Sequence, residues 1–297
     1  MRKMKVGIDI GGSHIAIGVI DENGKILEKR EKRLMSADKQ DVIGAIVEYV
    51  ITQTNQLKDK YEIQEVGIAM PGWTKDGIII SSGNLGVKDY NLQEGLQDLN
   101  LPVKIQNDAK CAALAEKKYG CLKGYENCLF LTLGTGIGGA AFWNGELLTA
   151  KRKLGFEFGH MVIEKEGIPC YCGRDGCFER YASMKALKND LRKVLQLDEM
   201  TRGEELLEIV RRNSPKEKNY EEIERVLEDY IKNLSIGLLN LIRIFEPEAI
   251  GIGGSFVYFE EVLLPRLKKY LEVRQDVKIE MAVLGNDAGM IGAVLSK

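Results

Sequence analysis

A chain of 297 residues, 44% hydrophobic and 29% charged, is globular and long enough for two α/β lobes. Its 42 basic and 44 acidic residues leave a net charge of -2, which argues against a dedicated nucleic-acid surface. No apolar run is long enough to span a bilayer, and no signal peptide opens the chain, so a reducing cytoplasmic setting is expected.

Met4 to Gly11 reads as a buried strand and His14 to Ile20 as a second. Asp21-Glu22-Asn23-Gly24 turns the chain into a third strand, from about Lys25 to Arg33. Apolar residues at Val42, Ile46, Val50 and Leu57 predict a helix over 38–57. Glu65 to Met70 is another buried strand, leading through Pro71-Gly72 into a loop-rich stretch that reaches Asn91. A short strand at Val103 to Gln106 ends on Asn107-Asp108, ahead of an alanine-rich helix from Ala109 to Tyr119. Asp108 favours that helix N-terminus electrostatically.

The second half opens as the first does. Asn127 to Leu133 is a strand, a glycine turn follows, and Ile137 to Trp143 is the next strand. Asn144-Gly145 signals a hairpin. A repeated strand, glycine turn and strand suggests duplicated α/β lobes. From Ser183 to Leu241 the pattern is helical and charged, broken near Asn213-Ser214-Pro215 and ending in a long helix over 220–245. A strand at Glu248 to Ile252, a helix at Val257 to Leu271, a strand at Val277 to Ala282 and a helix at Ala288 to Leu295 complete the chain.

Three glycine-rich turns follow predicted strands: Asp9-Ile10-Gly11-Gly12-Ser13, Gly134-Thr135-Gly136-Ile137-Gly138-Gly139, and Gly251-Ile252-Gly253-Gly254-Ser255. Glycine lets backbone N–H groups approach phosphate oxygens, and the hydroxyls of Ser13 and Thr135 add donors. No Walker lysine motif is present, and the first two turns join strand to strand, against a P-loop or a dinucleotide-binding Rossmann domain. Asp9 has two roles open to it: holding Mg²⁺ through water, or hydrogen-bonding its own turn. Asp108 is the stronger catalytic candidate, because a carboxylate at a strand end can take a proton from a substrate hydroxyl during phosphoryl transfer.

His160, Cys170, Cys172 and Cys177 form a soft four-ligand set suited to closed, tetrahedral zinc. Gly173 and Gly176 allow sharp turns between the ligands. The competing reading is a disulfide or ordinary buried thiols, which a reducing compartment disfavours. Glu157 and Glu179 bracket the ligands, so the metal would fix a loop carrying acceptors for a hydroxyl-bearing molecule. Cys111, Cys121 and Cys128 read as ordinary core or idle thiols.

Taken in order, Asp9-Ile10-Gly11-Gly12-Ser13, Asn107-Asp108-Ala109, Leu133 to Gly139, Glu157-Phe158-Gly159-His160 and the cysteine cluster resemble the ROK-family sugar kinases, members of the actin-like, ribonuclease-H-like ATPase superfamily. The resemblance runs to Asn286-Asp287-Ala288-Gly289. It implies an N-terminal α/β lobe over 1–108, a C-terminal α/β lobe with a structural zinc loop over 109–285, and a C-terminal helix over 286–297 that packs back on the first lobe. Sugar and ATP would meet in the cleft between the lobes. Asp108 matches the family's base for the sugar 6-hydroxyl, and Asn84, Asn107, Glu157, His160 and Glu179 match its sugar contacts. Gly11, Gly12, Ser13, Gly134, Thr135 and Gly136 fall in phosphate turns, with Gly253 and Gly254 near the adenosine.

The implied function is an ATP-dependent hexose 6-kinase using Mg²⁺ and carrying Zn²⁺, with glucose the leading substrate. N-acetylhexosamine, allose and fructose kinases, and a non-catalytic sugar sensor, are the alternatives. His14, Val87 and Phe156 depart from the family's commonest residues and bear on sugar identity. A winged-helix segment like that of the family's repressors is not expected ahead of Met4. Relatives of this kind are often dimers or tetramers.

Overall fold

Two strands of alternating or unbroken apolar residues joined by a tight glycine turn make an antiparallel hairpin, and this chain uses that unit to start each of two sheets. The computed structural model describes residues 3–12, 14–34, 41–150, 155–272 and 276–296. It divides into two compact units, one of Met1–Gly124, Leu147–Gly155 and Val283–Lys297, the other of Tyr125–Glu146 and Phe156–Ala282.

In the first unit β1 (Met4–Ile10) and β2 (His14–Ile20) form the hairpin, with β3 (Ile26–Arg33) antiparallel on the outer edge. The burial of β3 alternates residue by residue, as an edge strand with one wet face requires. Helix α1 (Val42–Lys58) starts at Asp41, whose carboxylate accepts the Gly44 N–H at 2.9 Å. The part of the predicted helix before residue 41 lies outside the described residues. Strand β4 (Ile63–Met70) returns parallel to β1.

The stretch that reads from sequence as loop folds instead into a small antiparallel sheet of β5 (Trp73–Lys75), β6 (Ile78–Ser82) and β7 (Val87–Asn91). Its organiser is Asp76-Gly77, both at positive φ (49° and 83°), a two-residue hairpin turn of the kind these residue types favour. After the short helix α2 (Leu92–Gly95), β8 (Val103–Asn107) joins parallel to β4 and runs directly into α3 (Asp108–Tyr119). The sheet order is β3-β2-β1-β4-β8.

The second unit repeats this plan. β9 (Cys128–Leu133) and β10 (Ile137–Trp143) form the antiparallel hairpin, and β11 (Glu146–Leu147) follows the Asn144-Gly145 turn, where both residues have positive φ. Helices α4 (Glu179–Ala182), α5 (Met184–Leu195), α6 (Gly203–Arg212) and α7 (Tyr220–Phe245) carry the chain to β12 (Ala249–Gly254). Then α8 (Glu260–Tyr270) leads into β13 (Lys278–Met281). β12 lies parallel to both β9 and β13, giving the order β11-β10-β9-β12-β13. Position for position this matches the first sheet, so the duplication expected from the sequence is present in the topology. Among the described residues no helix is long and apolar enough to cross a membrane.

The chain ends back in the first unit with α9 (Ala288–Ala293). The approach is so close that a Cβ on Gly7 would strike the Met290 carbonyl, and one on Gly67 the Ala293 carbonyl. Only glycine lets this helix lie on β1 and β4.

Glu116, fully buried on α3, secures the same region. One carboxylate oxygen accepts the N–H groups of Val283 and Leu284 at 2.9 and 2.8 Å, and the other accepts that of Cys121 at 2.9 Å. Glu116→Ala would strand three backbone donors, each costing about 1–3 kcal/mol when unsatisfied. Thermal unfolding of the variant should show a loss of about 3 kcal/mol or more, with Glu116→Gln losing less because it keeps one acceptor oxygen. Unfolding of Glu116→Ala at the wild-type midpoint would remove this carboxylate from the list of what holds the unit together.

Candidate functional site

In the first unit the carboxylates meet at the C-terminal end of the parallel strands, where α/β sheets place their ligands. Asn107 is both the last residue of β8 and the N-cap of α3, its side-chain oxygen accepting the Lys110 N–H at 3.2 Å. Its amide nitrogen donates to the Gly72 carbonyl at 3.2 Å and to Asp108 Oδ1 at 3.0 Å. The Ala109 N–H donates to the same Asp108 oxygen at 2.8 Å. Asp108 is thus oriented by its two sequence neighbours at the first turn of a helix, where a negative charge is favoured.

Asp9, next to last in β1, belongs to the same group. Burial first, and then the charge of Asp108, push its carboxyl up from the ordinary 3.8 to about 7, with Lys29 pulling the other way. The reason for the tight fit is Gly289, where a Cβ would sit 2.5 Å from Asp9 Oδ2. Lys29 also pairs with Asp287 at 2.7 Å. Gly12 lies against Asn84, with its would-be Cβ 3.6 Å from the Asn84 carbonyl. Asn84 is carried there by the β6–β7 turn, so the small sheet that the sequence does not announce is what brings this residue to the glycine turn. His14 packs its ring on Gly11, 2.8 Å from where a methyl group on that glycine would sit. Ser13 lies outside the described residues.

In the second unit, Gly134 to Gly136 close the β9–β10 turn, the Gly134 N–H donating to the Gly136 carbonyl at 3.0 Å. Thr135 is exposed at its tip. A Cβ on Gly134 would meet nothing within 4 Å, leaving open space over the backbone. Gly253 and Gly254 are still within β12, longer at this end than its hydrophobic run suggests, and they pair with Thr132 and Leu133 of β9. Both glycine turns therefore leave the same end of adjacent parallel strands.

The four soft ligand atoms of His160, Cys170, Cys172 and Cys177 lie within 4.8 Å of one another. Cys170 Sγ is 3.7 Å from His160 Nδ1, and Cys172 Sγ is 3.5 Å from Cys177 Sγ. Zinc–sulfur bonds near 2.3 Å put tetrahedral ligand atoms about 3.8 Å apart, so the cluster has the size of a zinc site. Gly173 and Gly176 take positive φ (87° and 76°), the turns the ligand spacing calls for. Burial, followed by the neighbouring thiols, pushes the Cys177 thiol up to about 12, and burial likewise raises Cys170. Burial also works against the Cys172 thiolate, yet the Arg174 N–H and the other two thiols hold this group below its usual value. Two of the three thiols thus resist ionisation, and a bound cation would favour their thiolate forms.

Glu179 links this cluster to the glycine turn. The carboxylate is buried, with Oε1 3.4 Å from Cys170 Sγ and 3.6 Å from His160 Nδ1. Its Oε2 accepts the Ile137 N–H at 3.4 Å and lies 2.5 Å from where a Gly136 Cβ would be. Glu157 precedes the short turn Phe158–His160, which lies on β10 because Gly139 leaves room for the Phe158 ring. Phe156 adopts φ 65°, in the left-handed region that favours glycine.

Tyr171 belongs to this site and carries no local signal in the sequence. It lies between two ligands, is 80% exposed, and places its hydroxyl 3.4 Å from His160 Nε2 with the rings edge to face. The imidazole therefore turns Nδ1 to the thiols and Nε2 outward.

A family model described as ROK family matches residues 5–296. The glucokinase of Thermotoga maritima is 31% identical over 99% of this chain and 97% of its own length. The beta-glucoside kinase of Listeria monocytogenes is 31% identical over 98% of this chain and 96% of its own. A crystal structure of a ROK family glucokinase from Streptomyces griseus in complex with glucose and AMPPNP superposes with a TM-score of 0.81, at 27% identity, covering 98% of this chain and 97% of that one. That glucokinase has the two-lobed actin-like fold, and this chain shares it.

Proposed function

This chain belongs to the ROK family, and from that membership and the Asp108 geometry we propose an ATP-dependent hexose kinase that phosphorylates the 6-hydroxyl of glucose. The observation that carries the reading is a carboxylate fixed at a strand-to-helix junction by Asn107 and the Ala109 N–H, within a chain that aligns end to end with a glucokinase.

In this mechanism Asp108 accepts the 6-hydroxyl proton as the sugar oxygen bonds to the γ-phosphorus. The bond from that phosphorus to the bridging oxygen breaks, and ADP leaves with the electron pair. Asn84, Asn107, Glu157, His160 and Glu179 supply sugar contacts. Gly11, Gly12, Ser13, Gly134, Thr135 and Gly136 cradle phosphates, and Gly253 and Gly254 lie by the adenosine. His160 serves both sides of the zinc loop, Nδ1 facing the thiols and Nε2 available to a sugar hydroxyl.

Two metals fit the residues present. Burial, and then the charge of Asp108, raise the proton affinity of Asp9, and a dication would relieve both the desolvation and the repulsion, so Asp9 suits Mg²⁺ accompanying the nucleotide phosphates. His160, Cys170, Cys172 and Cys177 suit Zn²⁺, which would supply the charge that keeps three thiols ionised and the loop in place.

A coupled ADP-release assay across glucose, mannose, fructose, allose, N-acetylglucosamine, N-acetylmannosamine and a β-glucoside tests the substrate assignment. Glucose should give the highest kcat/KM. A preference of about tenfold for an N-acetylhexosamine or the β-glucoside would replace glucose as the substrate, since that ratio corresponds to about 1.4 kcal/mol of transition-state binding.

A further inference from the structure

Lys188 is a basic residue on α5 that the mechanism above does not use. Helix α5 starts from Ser183, whose hydroxyl accepts the Ala186 N–H at 3.2 Å, and its Met184, Leu187 and Leu191 are buried. That anchoring places the helix across the ends of β9 and β12. The Lys185 N–H donates to the Gly134 carbonyl at 3.0 Å. One turn on, the Lys188 ammonium reaches Ser255 Oγ at 3.4 Å, directly after Gly253-Gly254, and stands 5.8 Å from the Phe259 ring centre. One helix thus touches both glycine turns of this unit, at the carboxyl ends of two adjacent parallel strands.

Among the described residues this charge has no carboxylate in direct contact, none lying within 4.0 Å of the ammonium. Burial, and then the neighbouring Arg192, lower the Lys188 proton affinity, with Glu204 opposing from a distance. A half-buried cation without a counter-ion costs stability, and replacing it by an apolar chain of equal length would remove that cost. Its surroundings instead offer what an anion needs: an ammonium, the Ser255 hydroxyl, and the open backbone over Gly134.

We propose that Lys188 is a nucleotide-binding residue whose ammonium pairs with a phosphate of ATP at the ends of β9 and β12. The proposal rests on the reading of Gly134–Gly136 and Gly253–Gly254 as nucleotide turns. It assigns to α5 a recognition role in addition to its packing role.

Lys188→Met tests it, because methionine fills much of the lysine stem without the charge. The variant should fold with an unfolding midpoint at or above that of the wild type. Its KM for ATP should rise about tenfold or more, as loss of a charge-assisted contact implies, while its KM for glucose stays within about twofold. Lys188→Arg, which keeps the charge, should recover most of the ATP affinity. Thermal shifts with Mg²⁺ and AMPPNP give a readout independent of turnover. A wild-type protein that is not stabilised by the nucleotide would overturn both this proposal and the reading of the turns. A normal nucleotide shift with an unchanged ATP KM in Lys188→Met would overturn the role of Lys188 alone, and so would an arginine variant as impaired as the methionine one.

Discussion

Asp108→Asn is expected to lower kcat for glucose phosphorylation by about 10²- to 10⁴-fold, the usual cost of removing a general base. Asparagine keeps the size and the acceptor oxygen that takes the Ala109 N–H at 2.8 Å, so α3 should start as before. What it loses is the ability to hold the proton from the 6-hydroxyl. Sugar binding, followed by glucose-induced thermal stabilisation, should be little changed. A second consequence concerns Asp9, whose carboxyl is raised to about 7 by burial and then by the charge of Asp108. With that charge removed, Asp9 should titrate at lower pH, visible in the carboxyl carbon resonances. A variant retaining more than about a tenth of wild-type kcat would take the base role away from Asp108.

The same two carboxylates show how far the sequence leads. Each is marked by its place at or next to the end of a strand, where a polar side chain is exposed to whatever binds there. The effect of one on the other is invisible in the chain, since it depends on β1 and β8 lying on either side of β4. The boundaries of β2 and α7 are legible because apolar periodicity and turn residues coincide there. The β5–β7 sheet is not, because its strands are short and partly exposed and only Asp76-Gly77 marks it. Glu179 stands out by its distance from Cys177. Its contact with the Gly136 turn arises from folding over 42 residues of chain and has no local signal. Glu116, Tyr171 and Lys188 escape a reading of the chain for a related reason: each sits in a helix or loop where its residue type is ordinary, and tertiary neighbours alone make it unusual.

The proposed zinc loop combines the local and the tertiary most directly, and Cys177→Ser probes both. Cys177 is fully buried, bridges to Val162, and is followed by Phe178, whose ring fills the space left by Gly237 on α7. Its loss would remove a ligand and leave a three-donor site, so zinc content should fall from about one per chain to well below half. Without the metal, Cys170 returns to the neutral form that burial favours, and the 170–177 turns are held against one another only by hydrogen bonds such as that from the Cys170 N–H to the Arg174 carbonyl at 2.9 Å. Phe178 would loosen from α7, and the unfolding free energy should fall by about 2–5 kcal/mol, the range for losing a metal ligand together with a buried anchor. Wild-type protein stripped with a chelator should unfold at the same temperature as the variant, because both report the same missing metal. His160→Cys supplies the contrast: a thiolate can still bind zinc, so zinc content and stability should hold, while the glucose KM rises and the ATP KM does not. Metal analysis that finds no zinc in active wild-type protein would end the assignment, and a zinc-loaded His160→Cys with a normal glucose KM would reduce the metal to a fastening for the loop.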